Sequence, residues 1–493
     1  MKTIKSIIGG AALLLATGTA VFAARTDLVV GVVLEPPHLD PTASAAAAID
    51  EIVYANVFQG LTRVGRNGEV VPSLAESWDV SDDGKVYTFK LHKGVTFHDG
   101  SAFDAEDVKF SLDRARAEDS TNAQKQLFTA IDTVEVVDPA TVKVTLKAPQ
   151  GSFLYNMGWG DAVMVAPETA DANKENPIGT GPFKFDSWAK GSAVKLTKNP
   201  DYWGNAAGLD KAEFRIIPDA AAAIPALLSG DVQAFPQMPA GDALAQIESD
   251  PRFTVKIGAT EGETLLSINN GKEPFNDIKV RQAIAHALNR DEIVAGNGSG
   301  YGTPIGTHFS PANEAYVDLT GTYPYDPAKA KALLSEAGYP DGFTATLKLP
   351  PPPYARQGGE VVASQLRQVG INLEIIPVEW AQWLEQVFKN KDFDLTIISH
   401  TEPNDINIYA RDDYYFDYNN PAFKEVMNTL EATADPAKRI ELYKTAQKII
   451  AEDAVNGFLF QLPKIGVWDA QLQGLWENSP IQANDLTEVR WAD

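Results

Sequence analysis

The hydrophobic pattern of this chain changes part-way along its length, and this change constrains the fold more than any other feature of the sequence. The first third carries strand patterns. Residues 28–34 form a continuous apolar run, residues 85–91 alternate between apolar and polar side chains, and residues 134–146 have the pattern of a hairpin that folds at Asp138-Pro139. Alternation with a period of two is typical of a half-buried strand. The first third is therefore predicted to be rich in β-structure.

The later half instead alternates helical patterns with short apolar runs. An aspartate followed by a proline supplies an N-cap residue and a residue suited to the first helical position. The predicted helices begin at Asp326 and Asp435 or span residues 277–293, and the predicted strands span residues 371–378 and 393–399. Helices that alternate with strands are typical of an α/β domain with a mainly parallel sheet.

The N-terminus has the pattern of an exported protein. Lys2 and Lys5 precede an apolar run over residues 7–16, and Val21 and Ala23 supply a β-branched and a small side chain at the cleavage spacing, so residues 1–23 are predicted to be a signal peptide. The apolar run is shorter than the roughly 20 residues of a membrane-spanning helix. The sequence has no cysteine, which excludes disulfides, thiolate chemistry and a lipid-bearing cysteine. We therefore expect an unlipidated, soluble protein of the bacterial periplasm.

Charge and motifs exclude several classes of function. The net charge is −24, and such a surface repels nucleic acid and anionic lipid. The sequence has neither the paired histidines of helical zinc hydrolases, nor a Gly-x-Ser-x-Gly elbow, nor a phosphate-binding loop. A glycoside hydrolase with paired acids is still an open alternative, because the distance between two such acids depends on the fold and not on their spacing in the sequence. The sequence predicts no catalytic residue, cofactor or metal ligand.

Three stretches resemble extracellular solute-binding protein family 5, the peptide-, oligopeptide- and nickel-binding proteins of ABC importers. The first is LAESWDVSDDGKVYTFKLHKGVTFHDGSAFDAEDVKFS at residues 74–111. The second joins PIGTGPF at residues 177–183 to NPDYWG at residues 199–204, and the third is PFNDIKVRQAIAHALNRDEIV at residues 274–294. The resemblance implies an α/β fold, namely a two-lobed periplasmic binding protein (type II, cluster C) with an extra β-rich domain inserted in lobe one.

The resemblance also implies a division of the chain. Lobe one takes residues 24–61, 182–261 and 465–493, the inserted β-rich domain takes residues 62–181, and lobe two takes residues 262–464. The ligand is expected in the cleft between the lobes, which close over it.

In peptide binders of this family, an acid that follows a strand of lobe two holds the amine of the ligand. By resemblance, that acid is Glu402 or Asp405, which follow the predicted strand at residues 393–399. His400 precedes them and is expected to donate a hydrogen bond to the ligand. A buried ammonium group requires a paired carboxylate, which fits these acids. Capping of the following turn is their alternative role.

The same binders often hold the carboxylate of the ligand with an arginine two residues before a tyrosine. Here the matching tyrosine is Tyr354, and Pro352 stands at the position of the arginine. Arg356 or Arg411 would have to substitute for it. This departure weakens the expectation of an ordinary dipeptide and leaves an opine-like or cationic metabolite open as the ligand.

The remaining candidates are aromatic or polar residues expected near the cleft. Trp380 and Trp383 lie three residues apart at a predicted helix start, so one is expected to pack in the core and the other, Trp380, to face the cleft. The other candidate ligand-binding residues are Trp159, Glu35, Asn269 and Tyr409.

Together these features predict a monomeric, periplasmic substrate-binding component of an ABC importer. It is expected to capture a small peptide or an amine-bearing amino acid conjugate and to deliver it to permease subunits in the inner membrane. A nickel chelate, haem and an oligosaccharide are the alternative ligands. A secreted hydrolase is a remote alternative, since no nucleophile or metal constellation supports it.

Overall fold

The computed structural model describes residues 25–43, 46–239, 244–402, 405–433 and 435–492. The predicted signal peptide, residues 1–23, lies outside the described residues. None of the helices in the described ranges combines the length and apolar content needed to cross a membrane.

The strands are β1 (Asp27–Val32), β2 (Thr62–Val64), β3 (Val70–Pro72), β4 (Ala75–Val80), β5 (Val86–Leu91), β6 (Ile131–Asp138), β7 (Thr141–Leu146), β8 (Phe183–Ala189), β9 (Ala193–Lys198), β10 (Lys211–Ile216), β11 (Ala234–Phe235), β12 (Phe253–Ile268), β13 (Thr303–Pro304), β14 (Phe343–Leu349), β15 (Ile371–Pro377), β16 (Leu395–His400), β17 (Gly457–Asp469), β18 (Leu472–Gln473) and β19 (Arg490–Trp491). The α-helices are α1 (Ala47–Val53), α2 (Ala105–Arg116), α3 (Phe153–Asn156), α4 (Ala220–Ser229), α5 (Leu244–Glu248), α6 (Ile278–Ala287), α7 (Arg290–Ala295), α8 (Pro327–Glu336), α9 (Pro353–Gln368), α10 (Trp380–Trp383), α11 (Pro421–Glu431) and α12 (Pro436–Glu452).

An 11-stranded sheet in the order β15-β14-β16-β12-β17-β11-β1-β10-β9-β8, with β13 beside β17, forms the frame of the molecule. Strand β1 pairs in parallel with β10 and β11, and β14 pairs in parallel with β15 and β16. However, β12 is antiparallel to both β16 and β17. The prediction of a mainly parallel sheet in the later half is thus wrong. The sheet is mixed, because antiparallel strands join its two parallel parts.

Strands β12 and β17 are long enough to serve both parts of the sheet. Residues 253–259 of β12 pair with β17 beside β11, whereas the part of β12 from Glu263 onward also pairs with β16. The register shifts between these parts, and Thr260 holds the irregular segment because its Oγ1 donates to Leu462 O at 2.8 Å and accepts from the Gly262 N–H at 2.9 Å. The predicted boundary between residues 261 and 262 falls in this segment.

A separate antiparallel sheet, in the order β4-β5-β7-β6, lies in the first third of the chain. Strand β5 buries Tyr87, Phe89 and Leu91 on one face, which confirms the predicted alternation. Strands β6 and β7 form the predicted hairpin, and helix α2 starts at Asp104, whose side chain accepts from the Glu106 N–H at 2.8 Å. The first third is therefore β-rich, as predicted.

The helix starts follow the local capping signals. Asp326 accepts from the Lys329 N–H at 2.9 Å at the start of α8, and Asp435 caps α12 in the same way. These two predictions are confirmed.

The single helix predicted over residues 277–293 is wrong, because the structure has two helices there, α6 and α7. The break falls at Leu288, which is extended, and at Asn289. The Asn289 side chain caps α7, while its N–H donates to Gln365 Oε1 at 3.0 Å. A tertiary hydrogen bond therefore replaces the helical one at this position.

The imidazole of His98 ties the loop after β5 to the glycine-rich segment that precedes β8. Its Nε2–H donates to Gly181 O at 2.9 Å, and its Nδ1 accepts from the Gly179 N–H at 3.3 Å. Burial lowers the pKa of His98 to about 4. Because this pKa lies below the usual 6.5 of an unfolded chain, the stability linked to His98 is fully present above pH 6.5 and is lost as the pH falls towards 4.

We expect His98→Gln to lower the free energy of unfolding by about 1–3 kcal/mol at pH 7.5, because two buried hydrogen bonds are lost. The difference from the wild type should shrink as the pH falls from 6.5 to 4.5, since only the wild type loses the His98-linked stability. Urea unfolding at several pH values measures this. His92→Gln, a change at a less buried histidine of the same region, is the control. A difference that stays constant or grows at low pH would contradict the assignment.

Candidate functional site

A cleft of about 1560 Å³ lies between the antiparallel sheet domain and the part of the large sheet that contains β12, β16 and β17. This volume exceeds the roughly 300–1000 Å³ of most small-ligand pockets. The cleft therefore has room for a solute of several residues, or for a bulky conjugate, together with water.

One wall of the cleft is apolar and exposed. Trp380, Leu384 and Phe388 line it with 43%, 52% and 40% of their surface accessible. By contrast, Trp383 is buried, and its Nε1 donates to Thr396 Oγ1 at 3.0 Å. Trp159 lines the opposite wall. Exposed large apolar side chains in a cleft are suited to the apolar part of a ligand.

The polar centre of the cleft is a carboxylate held between two imidazoles. His308 Nε2 lies 2.6 Å from Asp405 Oδ1, and His400 Nδ1 lies 3.3 Å from Asp405 Oδ2. His308 is 1% exposed and His400 is 7% exposed. Asp405 and His400 line the cleft, and Asp405 begins the turn at Asp405–Ala410. Each carboxylate oxygen of Asp405 therefore already has an imidazole partner.

Tyrosine hydroxyls fix the outer nitrogens of both imidazoles. The Tyr409 hydroxyl lies 3.1 Å from His308 Nδ1, and the Tyr415 hydroxyl lies 3.2 Å from His400 Nε2. Asn456 donates to Tyr409 at 3.1 Å. Both rings are thus anchored from behind by buried phenols, which keeps their inner nitrogens directed at Asp405.

Two further acids lie in the same region, on β12. Glu261 and Glu263 are 8% and 4% exposed, and Glu263 is in register with His400 on β16. Burial, followed by the charge of Asp405, raises the pKa of Glu261 to about 7 and raises that of Glu263 well above its usual range. Glu263 Oε2 has no hydrogen-bond partner among the described residues.

The ionisation of Asp405 is set by its histidine partners. Burial by itself raises the pKa of this carboxyl, but the hydrogen bonds and charges of His308 and His400 lower it well below its usual range. Burial lowers the pKa of His308, which favours its neutral form. Within the described ranges, no lysine or arginine forms an ion pair with Asp405, Glu261 or Glu263. Asp405 therefore carries a buried negative charge that a cation would balance.

The family model for bacterial extracellular solute-binding proteins, family 5 (middle), matches residues 69–420. The chain belongs to this family. A glutathione-binding protein of Pectobacterium atrosepticum is 35% identical over 370 residues, which cover 74% of this chain and 71% of that protein. A dipeptide-binding protein of Escherichia coli is 32% identical over 433 residues, which cover 78% of this chain and 80% of that protein.

Solved structures of the family share the fold. A periplasmic binding protein associated with an ABC transporter of Helicobacter pylori, in complex with the peptide STSA, matches with a TM-score of 0.79 and 28% identity over 95% of this chain and 99% of that one. The protein HbpA2 of Haemophilus parasuis matches with a TM-score of 0.85 and 26% identity, covering 95% and 100% of the two chains. The predicted family and the two-lobed fold class are confirmed.

Several residues that the sequence singled out lie along the cleft. Besides His400 and Asp405, the structure places Glu402 and Arg411 there, both with exposed side chains. Arg411 pairs with Asp413 at 3.3 Å. Together with Trp159 and Trp380, these residues form a continuous lining with both an apolar and an acidic part.

Other candidates do not line the cleft. Glu35 accepts from Trp188 Nε1 at 3.2 Å and from the Gly191 N–H at 2.7 Å, so it ties down the β8–β9 turn. Asn269 is buried and donates to Lys391 O and Phe393 O, both at 3.1 Å. Both side chains use their polar atoms on the protein itself.

The tyrosine and arginine near the start of α9 also have structural partners. The Tyr354 hydroxyl accepts from the Ser399 N–H at 3.3 Å, beneath β16. Arg356 donates to Val378 O and to Glu379, away from the cleft lining. Tyr409 is fully buried behind His308. Its place in the turn that follows Asp405 directs the ring inward.

Sequence reasoning missed His308, Glu261 and Glu263. These residues reach Asp405 only because β12 pairs with β16 and because the chain passes nearby after β13. A signal for the two glutamates exists: they occupy alternate positions of a strand that continues into the apolar side chains Leu265 and Leu266. Two acids on one face of a buried strand are unusual enough to indicate a site.

If Asn269 is structural, Asn269→Ala should lower the free energy of unfolding by about 1–3 kcal/mol, because two buried carbonyls lose their donor. Glu402→Gln should change it by less than about 0.5 kcal/mol, since that side chain is exposed. Chemical denaturation of both variants tests the distinction. An unchanged free energy of unfolding for Asn269→Ala would contradict this structural role and make Asn269 a candidate ligand contact again.

Proposed function

We propose that this chain is the substrate-binding component of an ABC importer, which captures a small peptide or an amine-bearing amino acid conjugate in the cleft. Family membership and the ligands named for its relatives, glutathione, dipeptides and a tetrapeptide, support this proposal. The chain would work in the periplasm after export, as a monomer, and pass its solute to permease subunits. We propose binding without turnover, since the family is one of binding proteins.

The acidic lining of the cleft is the observation that carries the proposal. The acids that line it are Glu69, Glu261, Glu314, Glu402, Asp405 and Glu431, against the bases Arg411 and Arg439. Arg439 already donates to Leu430 O at 2.7 Å and to Thr433 O at 3.2 Å. Such a lining attracts a cationic group and disfavours a polyanion.

Within this lining, we assign the contact with the ammonium group of the solute to Glu402. Its carboxylate is exposed to the cleft, whereas both oxygens of Asp405 already accept from imidazoles. Asp405 supplies further negative potential in the same cleft. A charge-assisted hydrogen bond of this kind is stronger than a neutral one.

An opine-like or other cationic metabolite is the second candidate, because the carboxylate partner expected of a dipeptide binder is missing. Pro352 is the residue before α9, and Arg356 is occupied outside the cleft. Among the cleft-lining residues of the described chain, Arg411 alone presents a half-exposed guanidinium away from such backbone contacts. A solute carboxylate would therefore bind at Arg411.

The experiment is a thermal-shift screen of the mature, ligand-stripped protein with peptides, opines, amino acid conjugates and cationic metabolites. Each amine is paired with its N-acetylated counterpart. At a hundredfold excess over its dissociation constant, a bound solute stabilises the fold by about 2.7 kcal/mol. We expect the free amines to shift the melting temperature and the acetylated forms to fail.

The variant test uses the solute that gives the largest shift. Glu402→Gln should weaken its binding about 10-fold or more by calorimetry, because the ammonium loses a charged partner. Glu69→Gln, at an acid on the antiparallel-sheet side of the cleft, is the matched control and should bind almost normally. Equal binding of an amine and its acetylated form, or normal binding by Glu402→Gln, would overturn the assignment.

A further inference from the structure

The cluster of His308, His400 and Asp405 has the composition of a metal site. Each side chain offers one ligand atom, a ring nitrogen or a carboxylate oxygen, and these three atoms lie within 4.8 Å of one another. Two imidazole nitrogens and one carboxylate oxygen are a ligand set that Zn²⁺ accepts, with bonds of about 2.0–2.2 Å. Tetrahedral coordination at that length places donor atoms roughly 3.3 Å apart. His308 Nε2 lies 2.6 Å from Asp405 Oδ1 and His400 Nδ1 lies 3.3 Å from Asp405 Oδ2, so each imidazole already faces a carboxylate oxygen near this separation.

The surroundings of the two imidazoles also fit a metal site. A histidine that binds a metal through one nitrogen normally donates its other N–H to an oxygen, which fixes the orientation of the ring. Here the outer nitrogens already contact the hydroxyls of Tyr409 and Tyr415, at 3.1 and 3.2 Å. A hydroxyl both donates and accepts. The proton of His308 can therefore move from Nε2 to Nδ1 when Nε2 binds a metal, and its contact with Tyr409 is kept.

The balance of charge indicates a cation independently of the ligand geometry. Glu263 is 4% exposed, and its Oε2 has no hydrogen-bond partner among the described residues. Its side chain stands in register with His400, and the described part of the chain brings no lysine or arginine into an ion pair with Glu261, Glu263 or Asp405. An ionised Asp405 without a lysine or arginine partner is costly in a buried site, and a divalent ion bound to it would supply the missing positive charge.

We propose that His308 Nε2, His400 Nδ1 and the Asp405 carboxylate form a site for a divalent transition metal such as Zn²⁺ on the wall of the cleft. Three protein ligands leave a coordination position free, as in open zinc sites. Since His400 and Asp405 line the cleft, that position faces the solute.

A second part of the inference rests on the proposed function: an amine-bearing solute, whose ammonium group contacts Glu402, completes the coordination with a carboxylate oxygen. The metal then takes the place that Arg411 would otherwise have as the partner of the solute carboxylate. The solute class becomes amino acid derivatives with both a free amine and a free carboxylate.

The test is calorimetric titration of ZnSO₄ into the untagged, chelator-treated mature chain, followed by titration of CoCl₂ with visible absorption as a spectroscopic readout. We expect one equivalent to bind and binding to weaken at least about 100-fold in His308→Gln and in His400→Gln, since each loses a ligand. His92→Gln is the control, because this less buried histidine lies on the antiparallel-sheet domain, and it should bind as the wild type does. Circular dichroism of each variant checks the fold.

An absence of saturable binding by the folded wild type, or equal binding by both site variants and the wild type, would overturn the metal site. Screening solutes with Zn²⁺ and again with EDTA separates this inference from the proposed function. Solute binding that is equal in both conditions would overturn the metal-bridged solute and leave the proposed function standing. If one equivalent of metal binds but no solute shifts the melting temperature in either condition, the result would support the metal site and contradict the proposed function.

Discussion

The burial of three carboxyl groups that have no lysine or arginine partner among the described residues is the constraint on which the cleft depends. Asp405, Glu261 and Glu263 come together where β12 pairs with β16, and two histidines are their near neighbours. Such a cluster costs free energy in an empty protein unless protons are taken up or hydrogen bonds satisfy the oxygens. The imidazoles of His308 and His400 satisfy Asp405, whereas the raised pKa values of the two glutamates favour their neutral forms. A cationic group in the cleft would balance the negative charge of Asp405.

The long strands explain why the acids sit where they do. Strands β12 and β17 run through both parts of the large sheet, and β12 changes register at Thr260–Gly262. Glu261 and Glu263 therefore lie at the connection between the two parts, beside the cleft.

Local signals allowed much of the fold to be predicted from the sequence. The hairpin β6–β7 and the caps of α8 and α12 depend on residues within a few positions of each other. The break between α6 and α7 was missed because Asn289 bonds to Gln365, which is distant in sequence. The mixed sheet was missed for a related reason, since the antiparallel pairing of β12 depends on strands far along the chain.

The candidate site residues also divide into those that a local sequence pattern indicates and those that only the fold brings together. His400, Glu402 and Asp405 were found because they follow one strand, and the family resemblance marks that position. His308 and the two glutamates come from other segments, so only the strand pairing reveals them. Tyr409 and Asn269 were expected near the cleft, but tertiary contacts direct both side chains into the protein, towards His308 and towards the carbonyls of Lys391 and Phe393.

The most direct test of the central claim is a crystal structure of the mature protein with a solute bound. The account predicts a positively charged group, an ammonium or a metal ion, within contact distance of Glu402 or Asp405, and an apolar part against Trp380. A solute whose neutral or anionic group faces these acids, or one bound outside the cleft, would contradict it.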